Sequence, residues 1–262
     1  MIRSLYTSAT GMEAQEMAID IISNNLANVN TTGFKKSRVD FQDLLYETIR
    51  AAGTDAAAGV QFPTGLQVGH GTKPVSTQKI FTQGEFIQTQ NPLDMTIEGA
   101  GFFQIQRADG TVAYSRDGAF KIDSEGRLVN SDGFIVQPEI TIPTNAQEVS
   151  IAMDGTVTAV ISGETTPQNL GTLELAKFIN PAGLKSLGRN MFEETEASGS
   201  PTVAMPGTEG VGTLAQGFLE MSNVKVVEEM VNMIVAQRAY EMNAKTIQAS
   251  DDMLRQAATI RR

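Results

Sequence analysis

The sequence predicts an α+β fold: a long helix at each end, the two pairing as a coiled coil, with an antiparallel all-β domain inserted between them. Three observations carry this. First, of 24 glycines 22 lie between Gly53 and Gly217, and all nine prolines lie between Pro63 and Pro206, so the ends are free of proline and nearly free of glycine, as long helices require. Second, apolar residues in the two ends recur at helical spacing. Third, all 12 phenylalanines fall between Phe34 and Phe218, in a stretch where short β-prone runs alternate with glycine turns.

The first helix is predicted over about 5–29. Leu5, Met12, Ile19 and Leu26 recur every seven residues, with Ile2 and Ala9 between them and Ile22 and Val29 widening the stripe. The last helix is predicted from Ser222 or Asn223, both good N-caps, to about 258, with Glu228 and Glu229 near the positive end of the helix dipole. At ~1.5 Å per residue the helices would be roughly 35–40 and 50 Å long. Glu241–Lys245 and Asp251–Arg255 are i,i+4 pairs in the favourable order.

The last helix carries two apolar stripes. One holds Val226, Met230, Met233, Tyr240, Ala244, Ile247 and Leu254; the other holds Val224, Val231, Val235, Met242, Met253 and Ile260, on a different face. Two stripes require neighbours on two sides, yet the chain offers one other long helix. Either the β insertion folds back over the second stripe, or other copies of the chain cover it. The second reading favours a polymer.

Between the helices, runs such as GFFQIQ, AFKI, GFIVQ, VSIAM and TVTAVI have period 2. They alternate with Asp109-Gly110, Asp117-Gly118, Glu125-Gly126, Asp132-Gly133, Asp154-Gly155 and Ser162-Gly163. Asp-Gly supplies the positive φ of tight hairpins, so this region reads as an antiparallel meander or small barrel. Residues 51–73 and 194–213, rich in Ala, Gly and Pro, read as connectors or long loops. The expected division is 1–33 for the first helix, 34–75 for a linking region with an extended stretch at 46–65, and 76–205 for the β domain. The linking region returns over 206–221, and 222–262 is the last helix.

Composition excludes much chemistry. The net charge of −10 lacks the cationic face that nucleic acid requires. There is no cysteine and a single histidine, His70, which removes thiolate sites and multi-imidazole metal sites. No apolar run is long enough to span a membrane as a helix, and the start lacks the apolar core of a cleavable signal peptide. The chain would therefore be cytoplasmic, or exported by a route that reads no such signal. Gly99-Ala100-Gly101 is not followed by a GxGxxG pattern or a crossover helix. Asp109, Asp117, Asp123, Asp132 and Asp154 lack the ligand spacing of a calcium loop and fit turn chemistry instead. Ser115 and Ser222 lack the context of a nucleophile. No catalytic residue, cofactor or metal is expected.

Four blocks carry a resemblance. NNLANVNTTGFKKSRVDFQDLL at 24–45 and SNVKVVEEMVNMIVAQRAYEMNAKTIQASDDML at 222–254 resemble the terminal motifs of the bacterial flagellar rod and hook family. IEGAGFFQI at 97–105 and YSRDGAFKID at 114–123 resemble its β-domain signatures, and DLLYETIRAAG with PTGLQVGHGTKP is similar to the distal-rod branch. The resemblance implies a non-enzymatic structural subunit, exported unfolded through the flagellar type III apparatus without cleavage. It would assemble into a hollow helical tube, the distal rod, which crosses the periplasm to the outer membrane and transmits torque from motor to hook. Implied partners are other copies of the chain, the proximal rod proteins, the hook protein, the outer ring (bushing) proteins and a rod cap during assembly. Leu5, Met12, Ile19, Leu26, Val226, Met230, Met233, Tyr240, Ile247, Leu254, Val231, Val235 and Met242 would form the self-assembly interface. Asn24, Asn25 and Asn28 would cap the first helix or bridge neighbouring copies. The alternatives are a proximal rod or hook protein, or a secreted carbohydrate-binding or hydrolytic β-domain on a helical stem.

Overall fold

The structure is a computed structural model describing residues 2–53, 55–57, 60–162 and 166–260. Two helices flank twenty-two short strands among these residues, so the chain is α+β. It divides into two compact units. One comprises Met1–Ala27, Ser37–Gln78 and Lys225–Arg262; the other comprises Asn28–Lys36 and Lys79–Val224.

In the first unit, α1 (Ile2–Ala27) and α2 (Val226–Ile260) pack against each other. They run antiparallel, because Ser4 meets Ser250 near one end and Asn25 meets Glu229 near the other. Helix α1 ends at Ala27, short of Val29, and residues 28–30 form a turn in which the Asn28 carbonyl accepts from the Thr31 amide. Helix α2 begins at Val226, later than the expected Ser222 or Asn223, because those side chains are engaged elsewhere. Asn223 donates to the carbonyls of Ile80 and Thr82 and accepts from the Lys36 amide, while the Ser222 hydroxyl accepts from the Val224 amide. The carbonyl of Lys225 accepts the first i→i−4 bond instead, from Glu229.

The expected connector over 51–73 is a hydrogen-bonded ribbon over most of its length. Strand Tyr46–Arg50 pairs with Leu66–Gly69, and Asp55–Ala57 pairs with Val60–Gln61; Thr54, Ala58 and Gly59 lie outside the described residues. Below this ladder Ser37–Asp43 pairs with Thr72–Lys79. The β-prone residues Tyr46, Thr48 and Ile49 place a paired strand where the glycines alone suggest open loop.

The second unit is built on a nine-stranded antiparallel sheet whose centre is Phe102–Gln106. That strand pairs with Val112–Ser115 on one edge along its length, and on the other with Ile135–Gln137 and then Leu175–Lys177. The order is therefore more crossed than a meander. Alternation in Phe102-Phe103-Gln104-Ile105 sends side chains to both faces, and both are covered. Phe103 lies in a core with Met95, Ile97, Phe120, Leu173, Leu175 and Leu214. Phe102 lies on the opposite side with Tyr114, Phe178 and Phe192, whose rings meet edge to face at 4.8–6.0 Å. The segment 194–213, expected as loop, contributes the strand Thr202–Ala204, and Thr213–Gln216 and Phe218–Glu220 pair with Met95–Glu98 and Phe86–Gln88.

Gly110, Gly126, Gly133 and Gly155 take the expected left-handed conformation, with φ of 83–84°. Gly118 does not. It is required for size, because a Cβ there would collide with the carbonyl of Met95, whose amide donates to the Gly118 carbonyl. Gly163 lies outside the described residues.

Candidate assembly surface

The helical unit shows how the apolar stripes are used. On α2 the residues turned away from solvent are Glu229, Met233, Ala236, Ala239, Asn243, Ala244, Ile247, Ser250 and Leu254, mostly three or four residues apart. On α1 the buried residues are Ser8, Ala14 and Asn25. The seam thus mixes small and polar side chains with the larger Met233, Ile247 and Leu254. The Ser4 and Ser250 hydroxyls lie 3.2 Å apart, and a Cβ on Gly11 would lie 2.8 Å from Asn243 Nδ2. Asn25 is fully engaged: Nδ2 donates to the Ser37 carbonyl and to Glu229 Oε2, and Oδ1 accepts from the Ser37 amide.

Leu5, Met12, Ile19 and Leu26 are half-buried along the flank of this seam, and Met233, Ile247 and Leu254 are half-buried within it. Tyr240 and Val226 are more open. Asn24 is exposed, and the half-buried Asn28 accepts from Thr31 through its side chain. The first stripe of α2 therefore splits: Met233, Ile247 and Leu254 meet α1, while Met230 is 51% exposed.

The second stripe is open. Val231, Val235 and Met242 are 54%, 62% and 62% exposed, with Met253 close behind; of its two ends, Val224 is buried in the other unit and the side chain of Ile260 lies outside the described residues. Val227 and Ile234, absent from either stripe as read from the sequence, are also exposed. Val227, Val231, Ile234 and Val235 sit at i, i+4, i+7 and i+8, which places them on one face of two helical turns. Val231 and Val235 belong to the second stripe read from the sequence, whereas Val227 and Ile234, at the same helical spacing, are in neither stripe. The ribbon of the same unit adds exposed Leu45, Tyr46, Ile49 and Leu66.

The acidic turn residues are occupied by their own turns. Asp109 accepts from the amide and hydroxyl of Thr111, Asp154 from the Thr156 amide, and Asp123 from Ser124 and Arg127. Hydrogen bonds from Thr111 and Arg127 are the leading reasons that the carboxyls of Asp109 and Asp123 are held below the ordinary range; for Asp154 it is the Thr156 amide. Among the described residues no cluster of three or more acidic or histidine side chains is placed to hold a metal ion. No described helix is long and apolar enough to cross a membrane.

Residues 5–35 match the model described as flagella basal body rod protein, residues 96–159 the flagellar hook protein FlgE/F/G D1 domain, and residues 215–260 the flagellar basal body rod FlgEFG protein C-terminal. The chain is 52% identical to the flagellar basal-body rod protein FlgG of Buchnera aphidicola subsp. Acyrthosiphon pisum over 99% of its own length and 100% of that protein. It is 52% identical to FlgG of Borreliella burgdorferi over the whole of both chains, and 41% identical to FlgG of Bacillus subtilis, again over both chains. The chain belongs to the flagellar basal-body rod protein family. Within that family the C-terminal model covers α2 and its open apolar face, and the N-terminal model covers α1 and the turn that follows.

Proposed function

We propose that the chain is a structural subunit of the flagellar rod, in its distal segment, and that it polymerises by covering the open face of α2 with neighbouring copies. One observation carries this: an apolar face at helical spacing, Val227, Val231, Ile234 and Val235, is more than half exposed on a helix already packed on another side. Full burial of such a side chain stabilises by about 1.5–3 kcal/mol. Covering what is still open would then contribute about 1–2 kcal/mol for each of the four, enough in sum to drive association of subunits held in register.

In this reading α1 and α2 form an antiparallel coiled coil that lines the inner layer of a tube, and the β unit faces outward. Leu5, Met12, Ile19 and Leu26 flank the seam and meet the next copy, with Val226, Met230, Tyr240, Val231, Val235 and Met242 on the outer faces of α2. Asn24 and Asn28 lie at the end of α1, where amides can bridge copies. The small and polar residues of the seam allow close approach of the two helices, which suits a stiff element that transmits torque. The subunit would be exported without cleavage and would join proximal rod proteins below and the hook protein above, with the outer ring proteins around it and a rod cap during growth. It performs no catalysis and needs no cofactor.

The test is electron microscopy of the purified full-length protein at rising concentration, with and without a basal-body fragment as a seed. Tubes, alone or grown from the seed, are the expected result. A chain that remains monomeric in both conditions refutes self-assembly through α2.

A further inference from the structure

Two of the sequence blocks singled out by resemblance converge with Glu220, outside them, on one point that the assembly surface leaves unused. Lys35 of the TTGFKK block, Arg116 of the YSRDG block and Glu220, four residues before the chain leaves the β unit, form an ion cluster with essentially no solvent exposure. All three belong to the β unit. Lys35 Nζ donates to Glu220 Oε1 at 2.6 Å and to the Thr82 carbonyl at 2.8 Å. Arg116 donates from Nη1 to Glu220 Oε2 at 3.4 Å and to the Ile97 carbonyl, and from Nη2 to the Gly99 carbonyl at 2.6 Å. Its guanidinium lies 5.5 Å from the Phe102 ring centroid, and its Nε has no partner among the described residues.

Glu220 is the hub. Besides its two cations it accepts from the Gly84 amide at 2.9 Å, and its backbone carbonyl accepts from the Gly33 amide at 2.8 Å. Gly33 is fixed there by a φ of 67°, with no room for a Cβ against the backbone of Asp117. Asn223 continues the same contact by bonding Lys36, Ile80 and Thr82. The segments on which the chain enters and leaves the unit are therefore bonded to each other and to residues 80–84.

The charges do not balance: two buried cations share one carboxylate. Burial lowers the pKa of Lys35 and of Arg116, and the Glu220 carboxylate opposes that lowering in both. Without Glu220 the unit would have to bury both cations with no anion, and breaking a buried pair in this way is strongly destabilising. The partners are 185 and 104 residues apart in the chain, so no local structure can bring them together in advance.

We propose that Glu220 is a keystone that makes closure of the whole β unit conditional on its C-terminal segment. A chain not yet continued to residue 220 keeps Lys35 and Arg116 in water and the unit open. Arrival of the strand Phe218–Glu220 supplies the one anion that both cations need, and the sheet then closes as a single cooperative body. The device holds an incomplete chain unfolded without any chaperone-like segment.

The test is hydrogen exchange with mass spectrometry on the full chain, kept below the concentration at which it associates, comparing wild type, Glu220→Gln and the charge-free triple variant Lys35→Met/Arg116→Met/Glu220→Gln. For Glu220→Gln the slowest amides throughout the sheet, in peptides spanning 95–106 and 112–115, are expected to exchange about 10²–10³-fold faster, or to lose protection altogether. The triple variant is expected to recover most of that protection, because it strands no cation. Acceleration confined to 33–36, 80–84 and 220–223 would make the cluster a local tie and overturn the proposal. So would a triple variant no better protected than Glu220→Gln, since the unit would then need the segment for its packing and not for its charge.

Discussion

Val231→Asp tests whether the open face of α2 is the surface that assembles the rod, apart from the surfaces that hold the subunit together. Val231 is 54% exposed, on the face it shares with Val227, Ile234 and Val235. No lysine or arginine stands three or four residues away on either side, so the new carboxylate finds no helical partner. In the isolated subunit the change exchanges one exposed residue of modest helix propensity for another and should move stability by less than about 0.5 kcal/mol. In a polymer that covers this face it removes about 1 kcal/mol of apolar burial and adds the desolvation of an unpaired carboxylate, several kcal/mol more. A combined penalty of about 4 kcal/mol corresponds to roughly a thousandfold rise in the concentration needed for assembly. The assay is sedimentation and electron microscopy across a concentration series, alongside circular dichroism melts of unassembled protein. Ile247→Asp is the contrast, because Ile247 is half-buried in the seam and its replacement should lower the melting temperature of the helical unit itself. If Val231→Asp assembles at the wild-type concentration, the face is not an interface. If it melts as low as Ile247→Asp, the face is already covered within the subunit.

Three further outcomes follow from particular contacts. Asn25→Ala removes three hydrogen bonds to Ser37 and Glu229 and leaves buried partners unsatisfied, so thermal unfolding should show a loss of about 2–4 kcal/mol in the helical unit. Tyr114 is buried in the aromatic cluster with its hydroxyl 3.4 Å from Glu194; burial, reinforced by that carboxylate, raises its pKa to about 12. The unfolded chain ionises this phenol near 10.0, so between there and 12 the unfolded state holds fewer protons and the β unit loses stability as pH rises. Tyr114→Phe should flatten that stretch of a pH-stability profile, and a profile as steep as wild type would remove Tyr114 as its source. Shortening the ribbon within 46–65 should change tube straightness in micrographs while leaving the melting temperature of the subunit in place; a change in melting alone would make the ribbon a spacer.

The two end helices were legible because proline is absent from them and glycine nearly so, and the β middle because Asp-Gly turns and alternating Phe and Ile runs have a short-range physical cause. The seam was legible only in part. Met233, Ile247 and Leu254 of the first α2 stripe lie in it, but the positions packed between the helices also include Ser4, Ser8, Gly11 and Asn25 facing Ser250, Asn243 and Glu229. Small residues permit close backbone approach and Asn–Glu pairing satisfies itself, so neither leaves an apolar signal. The ribbon over 46–69 was hidden by its Ala and Gly content, and the Lys35–Arg116–Glu220 cluster by the separation of its members along the chain.

A helix pair that buried its Leu, Ile, Met and Val between its own members would be a finished object with a polar exterior. Here the internal contact combines Ser, Gly, Ala and Asn with half-buried Met233, Ile247 and Leu254, while Val227, Val231, Ile234, Val235 and Met242 are left exposed on the far face of α2. Under the proposed function, that exposed apolar surface is what neighbouring copies cover. The same division explains why the β unit needs its own closure device. Its core is apolar on both faces of the sheet and would be prone to collapse early, but two buried cations oppose burial until Glu220 joins them. Polar contacts decide when and how each unit closes, and apolar surface decides what the closed subunit can join.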